Sequence, residues 1–164
     1  MNKVAVIMGS DKDLPIMEKA IEVLKQFEVP FEVHLYSPHR TCDKVITFAQ
    51  GARAQGFGVI IAGAGKAAHL AGTLASNTTI PVIGVPISSG VMDGMDALLS
   101  TIMMPRGIPV ATISIDGAEN AALLAIQILA ITDMTLQQKL ELARDQYRMI
   151  VLAKDGSIGQ KYNT

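Results

Sequence analysis

The chain has 164 residues, of which 49% are hydrophobic and 18% charged, and its net charge at neutral pH is −1. This length fits one α/β domain over residues 1–164, and the lack of a basic block excludes sequence-independent binding to nucleic acid. One cysteine excludes a disulfide framework, and no apolar stretch is long enough for a membrane span. We therefore expect a cytoplasmic protein whose apolar surplus is buried in a homo-oligomer.

The first half of the chain alternates strand and helix patterns. The run VAVIM predicts a first strand, after which Asp13 can cap a helix that has Pro15 in its first turn. The stretch FEVHLY alternates apolar and polar residues, which predicts an edge strand whose polar face exposes His34 to solvent. A second helix is predicted to stop near Gly56. The run GVIIAGAG is apolar on both faces and predicts a central third strand.

The second half continues the alternation. The segment AAHLAGTLAS predicts a helix with His69 one turn inside it, and IPVIGVP predicts a fourth strand. MDALLSTIM then predicts a helix, and IPVATISI predicts a fifth strand. Residues 118–131 predict a helix that is apolar nearly all round and therefore buried on every side. A final helix at about residues 135–151 carries one apolar seam, which we expect to pack on a neighbouring subunit. The segment KDGSIGQKYNT predicts a frayed polar tail.

Five strands alternating with helices predict a three-layer αβα sandwich with a flavodoxin-like parallel sheet. Right-handed crossovers and the edge-like second strand favour the strand order 2-1-3-4-5. Ligands of such sheets bind beyond the carboxyl ends of the strands. The three adjacent strands 2-1-3 end in Ser37–Arg40, Gly9–Ser10 and Gly63–Lys66. These three loops are therefore predicted to form one ligand site.

The residue types in these loops suit a phosphate-bearing ligand. Gly9 and Ser10 offer backbone N–H groups and a hydroxyl at a helix start, and Arg40 offers a planar set of donors that matches phosphate. Ser37 adds a second hydroxyl. Asp13 either accepts hydrogen bonds from ribose hydroxyls or serves only as a helix cap.

Two of the three histidines are candidates for proton transfer. His39 follows Pro38, whose ring restricts the backbone and holds the imidazole in place, although a plain surface histidine is the alternative. His69 is either a second site histidine or a hydrogen-bonded core residue. GAGKAA lacks the acidic residue that a dinucleotide site requires, and GAGK lacks the Gly and Ser/Thr of a Walker loop. No histidine–carboxylate spacing indicates a metal site.

Six segments occur in an order that identifies a family: VAVIMGSDKD, SPHRT, GVIIAGAGKAAHLAG, PVIGVPISS, LLSTIMMPRGIPVATISI and NAALLAIQILA. Together they resemble the N5-carboxyaminoimidazole ribonucleotide mutases of de novo purine biosynthesis, from about Lys3 to the last helix. SPHR with AAHL is similar to the mutase class, not to the animal-type class that carboxylates with free CO2. The resemblance implies a flavodoxin-like subunit in an octamer, a small ribonucleotide substrate, no cofactor and no metal.

The resemblance also implies roles for residues. His39 matches the proton-transferring histidine and His69 a second catalytic histidine. The implied substrate-binding residues are Gly9, Ser10, Asp13, Ser37, Pro38, Arg40, Gly65, Lys66 and Leu70. In the implied reaction a carboxylate moves from an exocyclic nitrogen to a ring carbon of the aminoimidazole, through release and recapture of CO2.

The chain departs from the family pattern at four places. Members of the family usually have Ser at the position of Lys12, Gly at the position of Lys66 and Pro at the position of Ala71. They also have a longer loop near Gly117. Lys66 either neutralises a carboxylate or points into solvent. These departures leave two alternative functions open. In one the protein is a paralogue that acts on a different nucleotide, and in the other it is a non-catalytic nucleotide-binding module. A flavoprotein is disfavoured because aromatic residues make up 4% of the chain and tryptophan is absent.

Overall fold

A five-stranded parallel sheet with helices on both faces forms the core of the protein. The computed structural model describes residues 2–90 and 92–163. The strands are β1 Lys3–Met8, β2 Phe31–Leu35, β3 Phe57–Gly65, β4 Val82–Ile87 and β5 Ala111–Thr112. Their order in the sheet is β2-β1-β3-β4-β5, with every neighbouring pair parallel. The predicted three-layer fold and strand order are confirmed.

Within the described residues, six α-helices connect and follow the strands. They are α1 Leu14–Gln26, α2 Cys42–Gly51, α3 Leu70–Ala75, α4 Met95–Ile102, α5 Ala118–Ala130 and α6 Met134–Tyr162. A short 3-10 helix, Asp11–Asp13, precedes α1. One apolar core lies between the sheet and α1, α5 and the start of α6. A second core lies between the opposite face and α2 and α3.

Alternate side chains of the central strands enter the two cores. In β1, Val4 and Val6 belong to the core with α1, whereas Ala5 and Ile7 belong to the core with α2. All four are fully buried. Successive side chains of a strand point to opposite faces, so a strand covered on both sides must be apolar at every position. This explains why β1 and β3 are continuous apolar runs in the sequence.

The predicted orientation of His34 on the edge strand β2 is wrong. His34 does not face solvent, because its ring stacks on Tyr36 at 5.1 Å and packs against Phe48 of α2 at the same centroid distance. The Tyr36 hydroxyl also lies 3.2 Å from Nδ1 of His34. The exposed face is the apolar one, where Val33 and Leu35 are 41% and 53% exposed. Alternation predicts two faces, but only the position of α2 decides which face is covered.

The last helix is longer than predicted. The helix expected at about residues 135–151 begins at Met134 and continues through the segment predicted as a frayed tail to Tyr162, and Thr164 lies outside the described residues. Asp133 starts it, because Oδ1 accepts hydrogen bonds from the N–H groups of Thr135 and Leu136. The tail contains glycine but no proline, and glycine costs a helix only about 1 kcal/mol. No described helix is both long and apolar enough to cross a membrane.

Three further predictions need correction. The helix α5 is not buried on every side, since Leu123, Leu124 and Ile128 are only partly buried in the single chain. The sheet, α1 and α6 cover one side of α5 and leave the other open. The fifth strand is also short, because β5 pairs with β4 at only two positions. The predicted helix containing His69 starts later than expected, at Leu70.

Candidate active site

The loops after β1, β2 and β3 meet in one cleft of about 560 Å³ at the carboxyl edge of the sheet. Of the residues predicted for the site, those that line it are Gly9, Ser10, Asp13, Ser37, Pro38, His39, Arg40, Gly65, Lys66 and His69. Leu70 is the exception. Its side chain is fully buried in the core beneath α3 and does not face the cleft. The three loops therefore meet at one site, as predicted.

The two candidate histidines are in direct contact. Nε2 of His39 lies 2.7 Å from Nδ1 of His69, and the rings meet edge to face with centroids 4.9 Å apart. A hydrogen bond between two imidazole nitrogens requires a proton on one and a lone pair on the other. The pair can therefore pass a proton between the loops after β2 and β3. His69 lies immediately before α3 and not one turn inside it, because the chain bends at Lys66–Ala67 before the helix begins.

A hydrogen-bonded turn positions His39. The N–H of Thr41 donates to the carbonyl of Ser37 at 2.8 Å, and the N–H of Ser37 donates back to the Thr41 hydroxyl at 2.9 Å. The N–H of Arg40 also approaches the Ser37 hydroxyl at 3.3 Å. Pro38 occupies the second position of this turn, where its fixed φ is favourable. The largely buried Ser37 thus acts on the shape of the loop, while its hydroxyl hydrogen remains able to reach a ligand.

Asp13 has a different local role from the one predicted. Its carboxylate accepts a hydrogen bond from the N–H of Ser10 at 2.9 Å and completes a capping box of the 3-10 helix. It makes no side-chain cap of α1, so that prediction is wrong. The side chain is buried, and loss of hydration raises the pKa of the carboxyl, against the opposing hydrogen bonds from the backbone of Ser10 and Gly9. A buried carboxylate at a cleft wall is typical of a ligand-binding group.

This burial predicts that Asp13→Asn stabilises the free protein at neutral pH. Because the folded pKa lies above the ordinary value of 3.8, the contribution of Asp13 to stability is present below that value. It is lost as the pH rises through the folded pKa. Asparagine removes the ionisation but keeps an acceptor for Ser10. Urea unfolding of both proteins between about pH 3 and pH 7 should show the advantage of Asp13→Asn growing with pH. A difference that does not change with pH would contradict the burial of an ionisable carboxyl.

The cleft also carries more cationic than acidic side chains. Lys12 and Lys66 line it together with Arg40, against two acidic residues. Lys66 has φ +56°, in the left-handed region, which costs a non-glycine residue about 1–2 kcal/mol. Glycine adopts this backbone conformation freely, whereas a lysine is strained in it. The chain has kept a lysine in spite of that cost.

The cleft is also lined by Ala64 of the predicted loop Gly63–Lys66 and by three residues that were not predicted for the site, Ser89, Asp11 and Ala67. Ser89 follows β4, and the predicted neighbourhood of β3 and β4 could have identified it. The carboxylate of Asp116 accepts a hydrogen bond from the Ser88 N–H at 2.9 Å, so the short loop before Gly117 supports this segment. Ala71 is buried outside the cleft. Within residues 2–90 and 92–163, no group of three or more His, Cys, Asp or Glu side chains is placed to hold a metal.

Known proteins resemble this chain in sequence and in fold. A family model described as AIR carboxylase matches residues 3–149. The chain belongs to the AIR carboxylase family. Among its relatives in this family, a Pyrococcus abyssi protein named N5-carboxyaminoimidazole ribonucleotide mutase is 53% identical over 148 residues, which are 90% of this chain and 85% of the relative. A Mycobacterium tuberculosis protein of the same name is 47% identical over 156 residues, 95% of this chain and 90% of the relative.

The fold of this AIR carboxylase family member also matches a solved structure. The crystal structure of PurE from Treponema denticola superposes with a TM-score of 0.86 and 25% sequence identity, over 98% of each chain. The resemblance inferred from the six ordered segments is therefore confirmed at the level of the family.

Proposed function

We propose that this protein is a mutase that converts N5-carboxyaminoimidazole ribonucleotide into 4-carboxy-5-aminoimidazole ribonucleotide in purine biosynthesis. The observation that carries the proposal is the 2.7 Å contact between His39 and His69 in a cleft that also contains Arg40 and Ser10. Two family relatives that cover most of the chain bear the mutase name. The description of the family as AIR carboxylase favours one alternative, direct carboxylation with free CO2.

His39 supplies first the acid and then the base that this isomerisation needs, and His69 is in hydrogen-bond contact with it. The protonated His39 gives its proton to the exocyclic nitrogen, and the bond from that nitrogen to the carboxylate breaks to release CO2. The ring carbon then attacks CO2 and forms a carbon–carbon bond, and the proton of that carbon returns to His39. One histidine can serve both steps. The first step leaves it without its proton and able to act as a base, and the second step returns the proton. The atoms, charge and electrons balance without a cofactor.

The other cleft residues suit the remaining parts of the nucleotide. Ser10 and Arg40 bind the phosphate, since a hydroxyl and a planar guanidinium match its oxygens. The buried carboxylate of Asp13 accepts hydrogen bonds from the ribose hydroxyls. Gly9, Ser37, Pro38 and Gly65 shape the walls. Lys66 adds a cation on the side of the cleft that adjoins β4.

We also propose that the active form is a cytoplasmic homo-octamer in which α6 packs on a neighbouring subunit. The exposed side of α4 carries Met95, Leu99 and Ile102, and the exposed half of α6 carries Tyr147 and Ile150. Such apolar surface is typical of a subunit contact. The cleft is open in the single chain, whereas retention of CO2 requires a closed and dry pocket that a neighbour would complete. A phosphorylated ribonucleotide substrate favours the cytoplasm.

Light scattering of the purified protein tests the assembly. We expect a mass about eight times that of the 17.4 kDa chain. Ile150→Lys should lower this mass, because it places a charge in the apolar seam of α6. Gln138→Lys adds the same charge at an exposed polar position of α6 and should leave the mass unchanged. A wild-type monomer would contradict the octamer.

Ultraviolet absorbance tests the reaction. The protein is mixed with N5-carboxyaminoimidazole ribonucleotide without added bicarbonate, and formation of the 4-carboxy product is expected. A parallel reaction supplies aminoimidazole ribonucleotide and bicarbonate. Turnover in the second reaction alone would favour the carboxylase, and binding without turnover in either would favour a non-catalytic nucleotide-binding module.

A further inference from the structure

We propose that Lys66 is a substrate-specificity residue whose ammonium binds the carboxylate that migrates between the nitrogen and the carbon of the aminoimidazole. This inference rests on the proposed function and goes beyond it, because it assigns one cation to one group of the substrate.

The backbone of Lys66 is the first observation. Its φ of +56° is a conformation that glycine adopts freely and that lysine adopts only at a cost. Strained residues of this kind cluster at ligand sites, where the surrounding structure holds them in place. Here the strained residue lines the cleft itself.

The place of Lys66 in the sheet is the second observation. It follows β3, three residues before His69, whereas Arg40 follows β2, and β1 lies between these two strands. Neighbouring strands are about 4.8 Å apart, so the two loops leave the sheet roughly 10 Å from each other. A ribose and an imidazole ring can span such a distance. Arg40 on one side therefore suits the phosphate, and Lys66 suits an anion at the opposite end of the nucleotide.

The loop that carries Lys66 leaves β3 beside the end of β4. A side chain at Gly65 would come within 3.0 Å of the Ile87 carbonyl oxygen and 3.3 Å of Cβ of Ser89, so the loop after β3 lies against the end of β4. Lys66 follows Gly65 directly, lines the cleft and lies on the same loop as His69. The migrating carboxylate must stay close to the histidine pair throughout the reaction, and a cation on this loop can follow it from the nitrogen to the carbon.

Calorimetric titration with two nucleotides tests this assignment. One ligand is the carboxylated product, and the other is aminoimidazole ribonucleotide, which is the same molecule without the carboxylate. We expect Lys66→Asn to weaken binding of the carboxylated nucleotide about tenfold, as the loss of a charged hydrogen bond does, and to leave binding of the other nucleotide nearly unchanged. Asparagine and glycine both tolerate the left-handed backbone, so Lys66→Gly should behave like Lys66→Asn.

Two further variants separate charge from shape. Lys66→Arg keeps the charge and should retain most of the discrimination between the two nucleotides. Lys12→Ser removes the cation on the loop after β1. It should weaken the binding of both nucleotides to the same extent, because that loop adjoins the phosphate site. The discrimination by the wild type should also fall as salt is added.

The outcomes separate this inference from the function on which it rests. Equal losses for both nucleotides in Lys66→Asn and Lys66→Gly, or no loss for either, would overturn the role of Lys66 and leave the mutase in place. A wild-type protein that binds neither nucleotide would overturn the proposed function and this inference with it. A selective loss of affinity for the carboxylated nucleotide would support the role of Lys66.

Discussion

Replacement of His39 by asparagine is expected to lower mutase turnover by about 100-fold to 10,000-fold, the usual contribution of a positioned general acid or base. Asparagine keeps a polar side chain on the same turn but carries no titratable proton. The turn itself is held by hydrogen bonds between Ser37 and Thr41, so the fold of the loop should persist. Initial rates followed by ultraviolet absorbance at saturating substrate measure the effect.

The same experiment has an internal control. His34 is a histidine outside the cleft, where it packs against Tyr36 and Phe48. His34→Asn should therefore leave the turnover of the folded protein almost unchanged. Nucleotide affinity should survive in His39→Asn, because the groups assigned to phosphate and ribose are untouched. Turnover that persists in His39→Asn would refute the acid–base role and leave the family membership standing.

Replacement of Ile61 by alanine is expected to lower the free energy of unfolding by about 2–5 kcal/mol. Ile61 is fully buried in β3, the central strand, within the core formed with α1 and α5. Close packing on both sides leaves the neighbours little room to fill the space left by the lost atoms. Urea unfolding followed by circular dichroism measures the change.

A matched control uses an exposed isoleucine. Ile131 follows α5 and is 81% exposed in the single chain, so Ile131→Ala should change the free energy of unfolding by less than about 0.5 kcal/mol. Comparable decreases in the free energy of unfolding for both variants would mean that Ile131 is buried in the assembly or that β3 does not form the centre of the core. The mass of each variant, measured in parallel, distinguishes these two explanations.

Much of the site was predictable because a parallel sheet places the ends of adjacent strands at one edge. The strand order followed from the apolar β1 and β3 and the alternating β2, and the order alone brought His39 and Arg40 near Ser10. Leu70, which adjoins His69 in the sequence, was predicted to bind the substrate. In a helix start, however, adjacent side chains point in different directions, and that of Leu70 enters the core. Ser89 was overlooked although β4 neighbours β3.

The sequence by itself determined the fold class, the strand order and the three loops of the site, because these depend on local periodicity and on the positions of glycine, proline and charged residues. Only the tertiary structure decided which face of β2 is covered and that the rings of His39 and His69 lie within hydrogen-bond distance. It also decided that Lys66 has a left-handed backbone at the cleft. These features depend on contacts between segments distant in sequence, and no local pattern records which neighbours a side chain will meet.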